Sequence, residues 1–431
     1  MGSPSVTTDT ADIPAAAVSR ETAAWRIVLG AFAAFLLVCG GVAYGVQWYI
    51  TQSKVDLVTE VVVGRGTVQV RPPNTGEALA VADARVLETG SQVITDSTAQ
   101  ATLVFIDPRT GTPVATMALV EDSDVRVEGA SAPRFALNRD PYTIEVECDH
   151  GRTEILVMDH NRPPTRITVV TPHATIGMVE PGQYIIDSID QETRLTTRVG
   201  LAHVYNGERS AAITLQTNQT IAVPGDDDSP HDAEYSLVLN NQFDRGFDEH
   251  WQSYNTHEPA GRVDGVEFAG RSAVAIDRSQ GNFATALRDH GETGLAQTLN
   301  LDISDFSYLE LRATFYIQEQ SLSTCGEKGS ECPLMLRLEY QDQQGGIREF
   351  ITGFYGYHEP LYEWPLVCVT CQMQAAHQRV NLNAWYTYES GNLLSLLPEE
   401  QHPVVVREIR LYASGWAYKV FVSEIDLLAG E

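Results

Sequence analysis

The stretch Ile27–Val46, IVLGAFAAFLLVCGGVAYGV, carries no charge, and the nearest charged side chains outside it are Arg26 and Lys54. About twenty helical residues at roughly 1.5 Å each reach about 30 Å, the thickness of a bilayer's hydrocarbon layer. Trp25 precedes the run and Trp48-Tyr49 follow it, where amphipathic rings settle at headgroup level. The run reads as one transmembrane helix over 25–50, behind a disordered cytoplasmic tail over 1–24 that is rich in Ser, Thr, Ala and Asp. Everything after it must fold on one side of a membrane.

Competing readings of this run fit less well. A cleaved signal peptide has a basic start and a shorter apolar core, whereas Asp9, Asp12 and Glu21 here oppose Arg20 and Arg26. Ala43-x-Gly45 resembles a cleavage site, and a lipid-attachment reading of Cys39 is spoiled by the large Val38 before it. Charge is balanced across the run, Arg20 and Arg26 against Lys54 and Arg65, so it does not set orientation. Gly41-x-x-x-Gly45 is a spacing that lets two such helices approach closely.

The remaining chain has room for two domains of ordinary size. A formal net charge of -28 in 431 residues excludes a nucleic-acid partner, because phosphate binding needs clustered Lys and Arg. The same acidity disfavours lying flat on an anionic leaflet.

From Val58 the pattern turns to short alternating runs bounded by turn residues, such as Glu60–Val70, Gln100–Ile106, Thr143–Glu147, Thr153–Met158 and Gln183–Asp187. Turns fall at Pro72-Pro73-Asn74, Asp107-Pro108, Pro163-Pro164, Pro181-Gly182 and Asn206-Gly207. The fold class is therefore all-β after the helix. Gly64–Val70, Val86–Thr95 (VLETGSQVIT), Ala99–Asp107 and Ile167–Gly177 (ITVVTPHATIG) resemble the FecR-type domain of bacterial extracytoplasmic signalling proteins, over 59–224. The resemblance implies a module for protein interaction or envelope signalling. Two departures stand out: Ser91 replaces the usual Asp, and Glu180-Pro181-Gly182 replaces a Gly-Thr before the last hairpin. The tail before the helix is also too short for the folded sigma-binding domain that some relatives carry, so an anti-sigma role is not implied.

Residues 225–234 contain Asp226-Asp227-Asp228-Ser229-Pro230 and read as an acidic linker. A second β domain follows over 235–431, with strands expected at Ala273–Ile276, Gly294–Leu299, Tyr308–Ile317, Leu334–Tyr340, Ile347–Phe354, Gln378–Asn383, Val405–Ala413 and Tyr418–Leu427. Its opening, Leu239-Asn240-Asn241-Gln242-Phe243-Asp244, and its ending, Val420–Leu428, are similar to the first and last strands of galactose-binding-like jelly-roll β-sandwiches. That resemblance implies a structural calcium held by Asp244 and Asp426, and otherwise no cofactor.

Aromatic residues crowd the stretch from Phe350 to Tyr388. Tyr355, Tyr357, Tyr362 and Trp364 are candidates for stacking on a glycan, while Phe354 and Trp385 are expected to fill the core. Cys325-x6-Cys332 and Cys368-x2-Cys371 suit disulfides outside the cell membrane, a zinc site, or free thiols. Cys39 and Cys148 are left over. Metalloprotease, serine-hydrolase and phosphate-loop motifs are absent from the sequence, and His150, His160 and His173 fit no metal spacing. The composite expectation is a non-enzymatic, single-pass protein of the cell membrane whose two β domains lie outside it. A protein partner is expected, a glycan ligand is the first alternative, and a purely structural envelope scaffold is the second.

Overall fold

The computed structural model describes residues 16–73, 76–159, 163–206, 212–224, 229–279, 290–361, 363–372 and 375–430, with side chains from Thr22 onward. Expectations placed on the first fifteen residues, Asn74, His160, Gly207, Asp226-Asp227-Asp228 and Tyr362 lie outside the described residues. The chain divides into two compact units, residues 1–55 with 133–140, and residues 56–132 with 141–431.

In the first unit a single helix, α1 (Ala16–Gln52), contains the apolar run. Its stretch Thr22–Gln52 is long and apolar enough to cross a membrane, and none of it is buried within the protein. Near its C-terminal end, Tyr49 packs edge-on against Phe135 at 5.7 Å. The Arg134 N–H donates to the Ser53 carbonyl at 3.0 Å, and the Asn138 side chain donates to the same carbonyl at 3.3 Å. The segment 133–140 therefore satisfies the carbonyl of Ser53, the first residue beyond the end of α1.

The described residues of the second unit are mainly β, with short helical turns at Leu393–Leu396 and Glu399–Gln401. Its first half includes β1 (Val58–Arg65), β2 (Gln100–Ile106), β3 (Pro113–Leu119), β4 (Tyr142–Val157), β5 (Gly182–Ser188) and β6 (Thr193–Val199). One run of antiparallel partners goes β1, β2, β3, the C-terminal half of β4, β5, β6. The N-terminal half of β4 pairs instead with Asp124–Pro133 and, in parallel, with Thr165–Val170. β4 thus belongs to two sheets. Val61, Leu103, Met117, Ile144 and Ile155 are fully shielded between them, as alternating apolar positions require.

The sequence suggested two separate strands, Thr143–Glu147 and Thr153–Met158. The structure runs one strand through both. Gly151 adopts φ +99°, and a Cβ there would lie 2.4 Å from the Ser123 Cα. Glycine lets the strand twist from one sheet into the other while touching the neighbouring backbone. Gly151→Ala is expected to destabilise the protein by about 1–3 kcal/mol, measured by urea unfolding of the full chain in detergent.

The second half is a β-sandwich. It includes β7 (Arg271–Asp277), β8 (Gly291–Asp302), β9 (Tyr308–Gln320), β10 (Leu334–Asp342), β11 (Ile347–Tyr355), β12 (Trp385–Asn392), β13 (Pro403–Gly415) and β14 (Tyr418–Gly430). One sheet orders Arg262–Phe268, β7, β14, β9, β12, and the other orders Gln252–Asn255, β8, β13, β10, β11, Gln378–Arg379. The core between them holds Val274, Leu311, Phe315, Leu336, Phe354, Ile409 and Val422. Tyr235-Ser236 pairs with Ala429-Leu428, so the entry of the sandwich lies beside its last strand.

Candidate functional site

The sheet β7-β14-β9-β12 buries apolar side chains on its core face and carries Glu310, Arg312, Thr314, Glu424 and Asp426 on the other. That second face is not solvated. It packs on β3, β4 and β5, and Arg312 is 1% exposed and Glu154 5% exposed where they form an ion pair. The Gln183 amide on β5 donates to Glu154 and to both Glu424 oxygens at 3.0 and 2.9 Å. Arg271 donates to the Thr116 hydroxyl at 3.1 Å. Nearer the rim, Arg152 bonds Glu389 at 3.0 Å and approaches Asp187 at 3.6 Å, while Arg312 lies 3.7 Å from Glu389. Gln100 uses its side-chain amide like a strand residue, donating to the Thr387 carbonyl at 3.0 Å and accepting from the Thr387 N–H at 2.9 Å. The two halves of the unit are therefore welded along a buried polar seam.

The electrostatics follow from crowding. Burial alone would push the Glu154 carboxyl up, but Arg312 and Arg271 outweigh it and hold the group below its ordinary value. Burial pushes Glu424 up to about 8, and Glu154 and Asp426 beside it add to the effect against the pull of Arg312. Ionised Glu154 and protonated Glu424 share the Gln183 amide. Glu424 lines a cleft of about 540 Å³ with Met158, Gln242, Asp244 and Arg271. It also borders a neighbouring cavity of about 310 Å³ that Asn241 and Asp426 line.

A second constellation lies on the outer face of β10 and β11, over which residues 321–333, 356–361, 363–372 and 375–377 fold. Cys325 is bonded to Cys332 and Cys368 to Cys371. Gln320, at the end of β9, holds both segments. Its amide donates to the Leu322 and Thr324 carbonyls at 2.6 Å, and its carbonyl accepts from the Gly356 and Tyr357 N–H groups at 2.8 and 3.0 Å. The Val369 N–H donates to the Lys328 carbonyl at 3.0 Å, and the His377 N–H to the Leu366 carbonyl at 2.7 Å. On this frame Tyr357, Leu361, Leu366 and Val369 stand out at 40%, 85%, 52% and 50% exposure.

The residues singled out in the sequence are placed as follows. Tyr357 is exposed and its hydroxyl donates to Glu359 at 3.2 Å; Trp364 is half-buried on the same loop. Tyr355, a candidate for the rim, is 6% exposed. It points to the outer face of β11, but the disulfide-bonded segment covers it, and it packs with Cys325, Cys332 and Tyr412. Phe354 lies in the sandwich core, whereas Trp385 faces the seam, 5.6 Å from Tyr316 and 6.0 Å from Phe268, with Arg271 over its ring at 5.1 Å. Asp426 is buried and accepts from Asn241, while Asp244 is exposed on the wall of the larger cleft. Among the described residues, one cluster of three potential metal ligands occurs, Cys325 with Cys332 and His377, and neither aspartate belongs to it. Cys148 is buried and burial pushes its thiol up to about 12, which makes it inert; Cys39 is exposed on α1.

Sequence reasoning did not find Glu154, Gln183, Arg312, Glu424, Gln320 or His377. The alternation of β9 and β14 did put Arg312 and Glu424 on one face, and that was the available signal.

No family model matches the chain, and no curated protein matches it. Solved structures with some likeness include a protein provisionally described as an anti-sigma factor from Parabacteroides distasonis, at 13% identity over 33% of this chain and 59% of that one, with a TM-score of 0.25. A structure of TmCBM61 in complex with β-1,4-galactotriose aligns at 12% identity over 46% of this chain and 99% of that one, TM-score 0.26. The family 11 carbohydrate-binding module of the cellulosomal cellulase Lic26A-Cel5E of Clostridium thermocellum aligns at 13% identity over 46% and 95%, TM-score 0.27. The chain spans little more than half the length of the first of these. At such identities and scores the likenesses carry no argument about what this chain binds or does.

Proposed function

We propose that the chain is a single-pass protein of the cell membrane whose β unit lies outside it, and that the sandwich recognises a protein partner through the loop Tyr357–Val369. The observation that supports this most is the set of exposed apolar side chains, Leu361 above all, on a loop held by disulfides and by Gln320. Exposed apolar side chains on a segment tied to the fold at several points suit a partner surface, because less entropy is lost on binding. The FecR-like half and the sandwich act together, joined through the seam. Burial, with Glu154 and Asp426 beside it, accounts for the raised carboxyl of Glu424, and the reading is recognition without catalysis. Glycan binding is the second reading, favoured by Tyr357 and Trp364 sharing that loop.

In intact cells, Leu361→Asp combined with Leu366→Asp is expected to abolish a crosslinked complex that the wild-type chain forms, without lowering its abundance in the membrane fraction. Unchanged crosslinking refutes the partner surface. Retention on cell-envelope polysaccharide that Trp364→Ala removes would favour the glycan reading instead. The topology is checked separately: the uncleaved chain partitions with membranes, and protease added outside the cell membrane removes the β unit.

A further inference from the structure

Beneath the exposed loop, three donor atoms converge in a buried space. The Cys325 and Cys332 sulfurs and a His377 ring nitrogen all lie within 4.8 Å of one another, and all three residues are buried. His377 is 6% exposed. One of its nitrogens, Nε2, contacts the Gly329 carbonyl at 2.6 Å, and since a carbonyl only accepts, Nε2 carries the proton. Nδ1 therefore presents a lone pair, and it has no hydrogen-bond partner. A buried polar atom without a partner costs free energy, so its position asks for an explanation.

Gly353 shows where that lone pair faces. A Cβ at this position would lie 2.3 Å from the Cys332 sulfur and 2.8 Å from His377 Nδ1. Both atoms thus crowd the same point of β11, with the Met335 sulfur 2.6 Å from it, an approach that is open only because Gly353 carries no side chain. In the disulfide form the sulfurs have no charge to offer, and the imidazole faces a bond it cannot use.

We propose that Cys325, Cys332 and His377 form a thiol-gated site for a thiophilic divalent ion such as Zn²⁺, closed by the disulfide and opened by its reduction. A dithiol reductant supplies the electrons. Its thiolate attacks one sulfur of the Cys325–Cys332 bond to give a mixed disulfide and release the other as thiolate. Its second thiol then displaces the remaining cysteine, and the reductant leaves as a disulfide, two electrons lighter. Both cysteines bind the ion as thiolates, giving up their protons to solvent. Two thiolates, the neutral imidazole and one water complete four-coordination. Donor separations in a zinc tetrahedron are about 3.5–3.8 Å, from metal–ligand bonds of about 2.0–2.3 Å. The imidazole nitrogen therefore already lies near the site, and the two sulfurs, bonded to each other in this form, part by about 2 Å once reduced. The Gly329 carbonyl fixes the imidazole tautomer, the role that outer partners play in metal sites. Cys368 and Cys371, bonded to each other, are not part of it. The inference does not depend on the identity of any partner, since it concerns the underside of the loop.

The test uses the full-length, tag-free chain in detergent, with Co²⁺ as the spectroscopic probe and Zn²⁺ in competition. After reduction with a non-chelating phosphine, one equivalent of Co²⁺ is expected to give a thiolate charge-transfer band with tetrahedral d–d bands, displaced by Zn²⁺. The oxidised chain is expected to give none. His377→Gln keeps a donor for the Gly329 carbonyl but loses the lone pair, and should weaken binding about 10–100-fold. Cys368→Ser with Cys371→Ser should leave the spectrum intact. The proposal is overturned if the reduced chain gives no thiolate band, if His377→Gln binds as the wild type does, or if the band is lost on removing Cys368 and Cys371. Collapse of the β spectrum on reduction overturns it too, because the cage must outlast the bond. These outcomes are separate from loss of the crosslinked complex.

Discussion

Arg312→Met is expected to destabilise the full chain by about 3–5 kcal/mol at neutral pH, the usual consequence of removing one partner from a buried ion pair. Arg312 is 1% exposed, forms an ion pair with Glu154 and lies 3.7 Å from Glu389. Methionine fills most of the volume, so the loss reports charge and not a cavity. Without the guanidinium, Glu154 is a buried carboxylate with Arg271 and the Gln183 amide as its remaining support. Adding Glu154→Gln to Arg312→Met should recover a good part of the loss, since neither buried charge then lacks a partner, and the non-additivity measures the pair directly. Urea unfolding followed by tryptophan fluorescence is the measurement. A loss below about 1 kcal/mol, the range of solvated pairs, would mean that water enters between the two halves.

How much of this was legible beforehand differs between elements. The apolar run at Ile27–Val46 announced α1 because about twenty uncharged, mostly apolar residues in a row favour one long helix. The β grammar also carried through: Gln100–Ile106 alternates and is a strand, and β10, β13 and β14 lie where runs of apolar alternation placed them. Tyr235-Ser236 and β14 are neighbours, in keeping with the two similar ends. β12 was missed because Trp385-Tyr386-Thr387-Tyr388 reads equally as an aromatic rim. Thr143–Glu147 and Thr153–Met158, read as separate strands, are one, twisted at Gly151.

The seam was invisible for a deeper reason. Alternation along β9 assigns Leu311 and Phe315 to one face and Arg312 and Thr314 to the other, but it says nothing about what covers the second face. Polar residues there are read as solvated by default, and here a second layer of protein replaces water. Nothing in the spacing could link Glu154 to Arg312, or Gln183 to Glu424, because those pairs are made by folding over long separations. His377 was hidden in the same way: it is distant from Cys332 in sequence and fits no ligand spacing, and the turn that brings it back depends on Gln320 and Gly329.

A second large effect concerns pH. Glu424 holds its proton to about pH 8 in the folded protein against an ordinary value of 4.5. The folded state therefore binds a proton that the unfolded chain has already lost between those values. Stability from this group is complete below about 4.5 and disappears as pH rises through about 8. Glu154 works in the opposite sense, since its folded value is depressed; its contribution is lost only when pH falls below the ordinary carboxylate range. The two contributions are lost at opposite ends of the pH range. Between pH 5 and 8.5 the wild-type unfolding free energy is expected to fall by on the order of a few kcal/mol, at up to about 1.4 kcal/mol per unit. Burial raises Asp187 and Glu310 as well, so part of the slope belongs to them. Glu424→Gln removes the titrating proton while keeping a neutral group beside Asp426, Gln183 and Arg312. The variant's profile should be distinctly flatter above pH 5, and above pH 8 it should be more stable than the wild type. Parallel profiles for the two proteins would show that Glu424 is ionised in the folded state, and that the Gln183 amide and Arg312 suffice to hold three carboxylates together.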